Sequence, residues 1–180
     1  MMPMRTPTAF AQQPRPWYRD RATWNFIAIR YVLLLGALNL LWEIAQLPFY
    51  TLWEERQPSF IAYAVVHCTL GDVAIGTLAL LIALIATRAR AVETWRWRQV
   101  ALFLIIPAVG YTALSEWINT VARGNWAYSA LMPVVNLGGF EFGLSPLFQW
   151  LVIPPVALWL ARIHFSSRPQ EGGAATNKAR

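Results

Sequence analysis

The stretch FIAIRYVLLLGALNLLWEIAQL, residues 26–47, decides the fold class. Apart from Arg30 and Glu43 it is uncharged, and about 20 apolar residues rising 1.5 Å each cross a hydrocarbon core of roughly 30 Å. Three further runs, 64–87, 100–121 and 146–163, have the same character. The chain is 57% hydrophobic and 13% charged with positive mean hydropathy, which fits an integral membrane protein. The expected architecture is all-α: a polytopic bundle of four transmembrane helices spanning residues 23–165.

Basic residues flanking membrane helices are retained in the cytoplasm. Arg5, Arg15, Arg19, Arg21 and Arg30 precede or begin the first run, and Arg88, Arg90, Arg96 and Arg98 lie between the second and third. Arg162, Arg168, Lys178 and Arg180 close the chain. The other two connections hold Glu54, Glu55 and Arg56, and then Arg123 and Glu141. This alternation places both termini in the cytoplasm and makes the first run a signal anchor rather than a cleaved signal peptide. It also accounts for the net charge of +6 without a nucleic-acid partner.

Residues 1–22 and 166–180 are proline-rich or polar and read as flexible cytoplasmic arm and tail. The connection 122–145 is long yet rich in aromatic and aliphatic residues. It reads either as a lid on the outer mouth, burying Trp126, Tyr128, Met132 and Phe140, or as an interfacial segment held by its Trp and Tyr side chains. Pro107, Pro154 and Pro155 interrupt the third and fourth runs, where prolines kink helices.

Polar residues inside the runs are the functional signal, because ionisable groups in a membrane are costly. Measured from the nearest flanking arginine, Glu43 and Gln149 lie ~20 Å into their helices, Asp72 ~24 Å and Glu116 ~27 Å. All four therefore fall in the same outer half of a bilayer. Asn39, Glu43 and Gln46 share one face of the first helix, and Thr112, Glu116 and Asn119 share one face of the third. Asp72 shares a small-residue face with Cys68, Thr69 and Gly76. His67 stands about 140° around an ideal helix from Asp72, nearer the outer rim.

Four uses of such a cluster remain open. Neutral hydrogen bonds between helices would serve packing or a membrane partner. A proton-coupled relay would make a small transporter, for which four helices call for a homo-oligomer. Glu43, His67, Asp72 and Glu116 suit iron or manganese by residue type, but lack the Glu-x-x-His spacing of di-iron bundles, so no metal is expected. Cys68 is the single cysteine and His67 and His164 the two histidines, which argues against disulfide, zinc-knuckle and haem chemistry and leaves no cofactor expected.

The fourth use is acid and base catalysis. Crowded acids in a poorly solvated place separate into a protonated donor beside an ionised acceptor. Such a pair could protonate an alkene or epoxide and remove a proton elsewhere. Glu43, Asp72, Glu116 and His67 are then the catalytic candidates. Asn39, Gln46, Asn119 and Gln149 would orient a membrane lipid or other hydrophobic small molecule, and Trp42, Tyr111, Trp117, Trp126 and Trp150 would stabilise a cation through their ring faces.

The segments WEIAQLPFY (42–50), HCTLGD (67–72), SEW (115–117), NWAYSALMP (125–133) and GLSPLFQW (143–150) together resemble a family of small bacterial four-helix inner-membrane proteins without an established activity. The likeness covers roughly residues 38–151, and implies a multi-pass protein of the bacterial inner membrane. A Trp-Glu pair followed by a distant acid is also similar to the membrane isomerases of the emopamil-binding type and to integral-membrane terpene cyclases. That similarity implies isomerisation or cyclisation of an isoprenoid through a carbocation.

Overall fold

The computed structural model describes residues 15–55 and 57–166; the first 14 residues, Arg56 and the tail 167–180 lie outside it, and with them most of the expected arm and tail. Among the described residues four helices are long and apolar enough to cross a membrane: helix one Arg21–Phe49, helix two Pro58–Ala86, helix three Trp97–Ala122 and helix four Leu144–Ile163.

Helix one begins where Asp20 accepts the backbone N–H of Thr23 at 2.8 Å, an N-cap that satisfies a free amide of the first turn. The Thr23 hydroxyl also donates to Asp20 and accepts the Val92 N–H, so the cap is tied to the connection between helices two and three. Residues 15–22, expected to continue the arm, are folded here: Trp17 is buried in the core, and Pro16 makes an isolated β-bridge to Arg90. The helix carries a π-turn at Phe26–Tyr31 and closes in a 3-10 turn, Leu47–Phe49, that contains Pro48.

Helix two starts at Pro58, six residues before the apolar run, because proline suits a first helical turn whose N–H groups have no partner in any case. Pro107 lies within helix three, and Pro154 and Pro155 lie within helix four. Helix three ends in a π-turn, Ile118–Ala122.

The core is concentrated at the arginine-bearing end. Phe26, Leu80, Leu84, Val100, Leu104, Ala157 and Ala161 are all buried there. Phe26 meets Trp95, Trp97 and Phe165 edge-on, and the guanidinium of Arg162 lies 5.2 Å above Trp97. At mid-depth Tyr31 donates to the carbonyl of Gly76 at 3.2 Å, a contact that brings helices one and two together.

The long connection before helix four is partly a β-hairpin. Strand β1, Val134–Leu137, pairs antiparallel with strand β2, Phe140–Gly143, through the two-residue turn Gly138–Gly139. Both turn glycines have positive φ, 62° and 86°, as a tight hairpin turn requires. The segment before it is stitched to the end of helix one: Thr51 N–H donates to Ala127, and Ser129 N–H to Phe49, at 3.0 and 2.9 Å. Met132 is buried and Trp126 and Tyr128 are partly buried, but Phe140, expected inside, is 40% exposed. It stands on an edge strand and meets the ring of Trp117 instead.

Candidate functional site

Away from the arginine-bearing end the four helices enclose a cavity of about 380 Å³. Helix one contributes Glu43 and Gln46, helix two His67, Cys68 and Asp72, helix three Tyr111, Thr112 and Glu116, and helix four Gln149 and Trp150. Trp126 and Asn125 from the long connection, and Tyr50 just beyond helix one, complete the wall. The agreement in depth of Glu43, Asp72, Glu116 and Gln149 thus corresponds to one shared space.

Gln149 organises one side of it. Its buried amide nitrogen donates to Asn39 Oδ1 at 2.8 Å, Asp72 Oδ2 at 2.9 Å and Glu43 Oε1 at 3.2 Å. Two N–H bonds cannot fully serve three oxygens, so at least one of these contacts is shared. Glu43 and Asp72 both accept from this one amide nitrogen, so two carboxyl groups from different helices are gathered at one point. Gln46 adds a second amide to Glu43 at 2.7 Å. Its own oxygen is held by Ser145 at 2.9 Å and by the Trp42 indole at 3.2 Å.

Glu116 belongs to a separate arm of the site. It accepts the hydroxyl of Tyr128 at 2.6 Å, so a residue of the long connection completes the surroundings of a helix-three acid. The Trp126 indole nitrogen is buried close to the same carboxyl, yet no acceptor meets it in hydrogen-bonding geometry. Tyr50 and Tyr128, outside the helices, both have phenol pKa values raised above the ordinary range. Burial is the main cause for each, reinforced by the charge of Glu116 for Tyr50 and by the hydrogen bond to Glu116 for Tyr128.

Several expected residues are placed differently. Asn39 is fully buried behind Gln149 and bonds back to the Leu35 carbonyl, and Trp42 supports Gln46; neither lines the cavity. Asn119 bonds Ser115 and Asn125, and Trp117 faces outward, so they too are outside the lining. His67 does line the cavity despite its angular offset from Asp72, because the space extends over a broad arc of helix two; its ring stacks on Tyr63 at 5.6 Å. Tyr50 and Tyr128, in turns and connections where spacing carries no periodic signal, and Ser145, in the first turn of helix four just before the apolar run, were not among the expected site residues.

Among the described residues the lining contains neither lysine nor arginine. Among the described residues, no group of three or more His, Cys, Asp and Glu side chains is arranged to hold a metal ion. No protein family, curated protein or solved structure matches the chain.

Proposed function

We propose that this chain is a multi-pass protein of the bacterial inner membrane, with both termini cytoplasmic, and that its cavity is the site of an acid/base enzyme acting on an isoprenoid or similar lipid. The supporting observation is the carboxyl pair Glu43 and Asp72, held by the one amide of Gln149 at the wall of a cavity that has a third acid on another helix. In this mechanism one acid of the pair is protonated, because two crowded carboxyl groups do not both ionise, and it delivers that proton to one carbon of a double bond. Glu116, held by Tyr128, takes a proton from a neighbouring carbon, and the double bond shifts with no oxidant or reductant consumed. Trp150, Trp126 and Tyr111 border the space where the intermediate cation would form, and aromatic rings can stabilise such a charge. His67, at the exposed rim, is positioned to exchange protons with the surroundings.

The test is solvent-isotope incorporation. Protein in lipid nanodiscs is incubated with an isoprenoid-lipid extract in heavy water, and products are read by mass spectrometry. Carbon-bound deuterium should appear with the wild-type protein and vanish in Glu43→Gln and Asp72→Asn. Absence of incorporation with wild-type protein rejects the proposal.

A second reading is favoured by the Gln149–Asn39 contact, which is buried and joins helices one and four through Asn39, a residue outside the cavity lining. On that reading the network serves packing in a non-catalytic binding or assembly protein, or in a small homo-oligomeric transporter. Loss of the native fold in both carboxamide variants would support it.

A further inference from the structure

Helix two meets its neighbours along only part of its length. Gly76, Ala79, Leu80, Ala83 and Leu84 are buried in its second half, whereas Val65 alone is buried before them. A Cβ built on Gly76 would come within 2.6 Å of Leu35, so the helices touch there. A Cβ on Gly71 would meet no atom within 4 Å. Yet Gly71 lies one turn from both His67 and Ile75, which line the cavity, and so belongs to the same face. Tyr63 and Tyr111 line the cavity while remaining 62% and 52% exposed, on helices whose outer surfaces are apolar. The cavity is therefore open sideways, between the first half of helix two and helix three.

We infer that this gap is a lateral portal for a lipid whose small head, an alcohol or amine and not an anion, occupies the cavity while its tail remains in the bilayer. The inference rests on the acid/base reading for the use of the site, but its geometry is independent of turnover. A volume of about 380 Å³ is near the small end for ligand sites and accommodates a head and a short part of the chain. Three acids, with no lysine or arginine in the lining among the described residues, disfavour a phosphate or carboxylate by like-charge repulsion. The same acids accept hydrogen bonds from a hydroxyl or an ammonium group, and the aromatic rim suits a cationic or neutral head.

The test measures equilibrium binding of radiolabelled farnesyl alcohol, farnesylamine and farnesyl monophosphate to full-length protein in nanodiscs. The alcohol or the amine should bind, and the relative affinity of those two identifies the head. The monophosphate should bind about tenfold more weakly or worse. Gly71→Trp should weaken the better ligand by about tenfold or more, and Gly71→Ala by less, since only the larger side chain fills the gap. Gly71→Leu takes the place of the tryptophan variant if that protein does not fold. Monophosphate binding as tight as the alcohol, or a blocked variant that binds like wild type, overturns the inference. Binding with this pattern but without deuterium incorporation rejects the catalytic reading alone; incorporation that survives the Gly71 block rejects the portal alone.

Discussion

Gly71 and Gly76 are five residues apart on one helix, and their surroundings are opposite. At Gly76 the absence of a side chain lets helix one approach until Leu35 and the Tyr31 hydroxyl touch the backbone region. At Gly71 the absence of a side chain leaves space empty. Small residues in membrane helices are usually explained by close packing, since lipid supplies no hydrophobic force between helices. The difference here shows that the same residue type can close a bundle at one level and open it one and a half turns away.

The sharpest way to break the comparison is at the acids of the open half. If the cavity is catalytic, Asp72→Asn should lower the isotope-incorporation rate by about 10²–10⁴-fold, roughly 3–5 kcal/mol on the barrier. Its melting temperature should barely move, because an asparagine oxygen can still accept from Gln149. A large loss of thermal stability would instead place Asp72 among the packing groups.

At the closed half a smaller change should be felt in stability alone. Gly76→Ala forces Leu35 from a fully buried position and should cost about 1–3 kcal/mol, read from detergent-titrated unfolding. A neutral result would mean that the helices separate readily there and that the contrast with Gly71 is not real.

Next in size is the pH response of the connection that contributes to the cavity wall. Tyr50 and Tyr128 have raised phenol pKa values in the folded protein, so both states are protonated below about pH 10 and stability is unaffected there. Above about pH 10 the unfolded tyrosines ionise first, and folded stability falls as pH rises toward their folded values. Phenolate absorbance should appear together with unfolding for these two residues; an early, reversible signal lost in Tyr128→Phe would contradict their enclosure. The smallest effect is expected for Gly71→Ala, which should stabilise the helix by up to about 1 kcal/mol, because the added methyl enters open space. Destabilisation would show that the gap is closed in solution.

The four helices were legible because a run of apolar residues is a length measurement, and the flanking arginines supplied a depth scale that brought Glu43, Asp72, Glu116 and Gln149 to one level. Helical spacing also put Asn39, Glu43 and Gln46 on one side, although it could not tell lining from backing: Asn39 supports the site from behind while Gln46 faces the cavity. For His67 the ideal-helix angle was a poor guide, since a wide cavity is reached from a broad arc of helix two. The partnership of Tyr128 with Glu116 depends on how a connection folds back, and nothing periodic announces it. The hairpin did have a local signal, Gly138–Gly139 between two short apolar strands, which was masked by the expectation of a membrane-associated lid. The stand-off at Gly71 was not legible at all, because glycine has the same letter in a tight contact and in an empty one.

The position of Gln149 has a consequence for biogenesis. Chains emerge from the ribosome N-terminus first, and early segments begin to fold before late ones exist. Asn39, Glu43 and Asp72 are made on helices one and two, but the amide that joins them arrives only with helix four. On the proposed membrane-spanning reading those polar groups stay wet or shielded until helix four is made, and that helix completes the site.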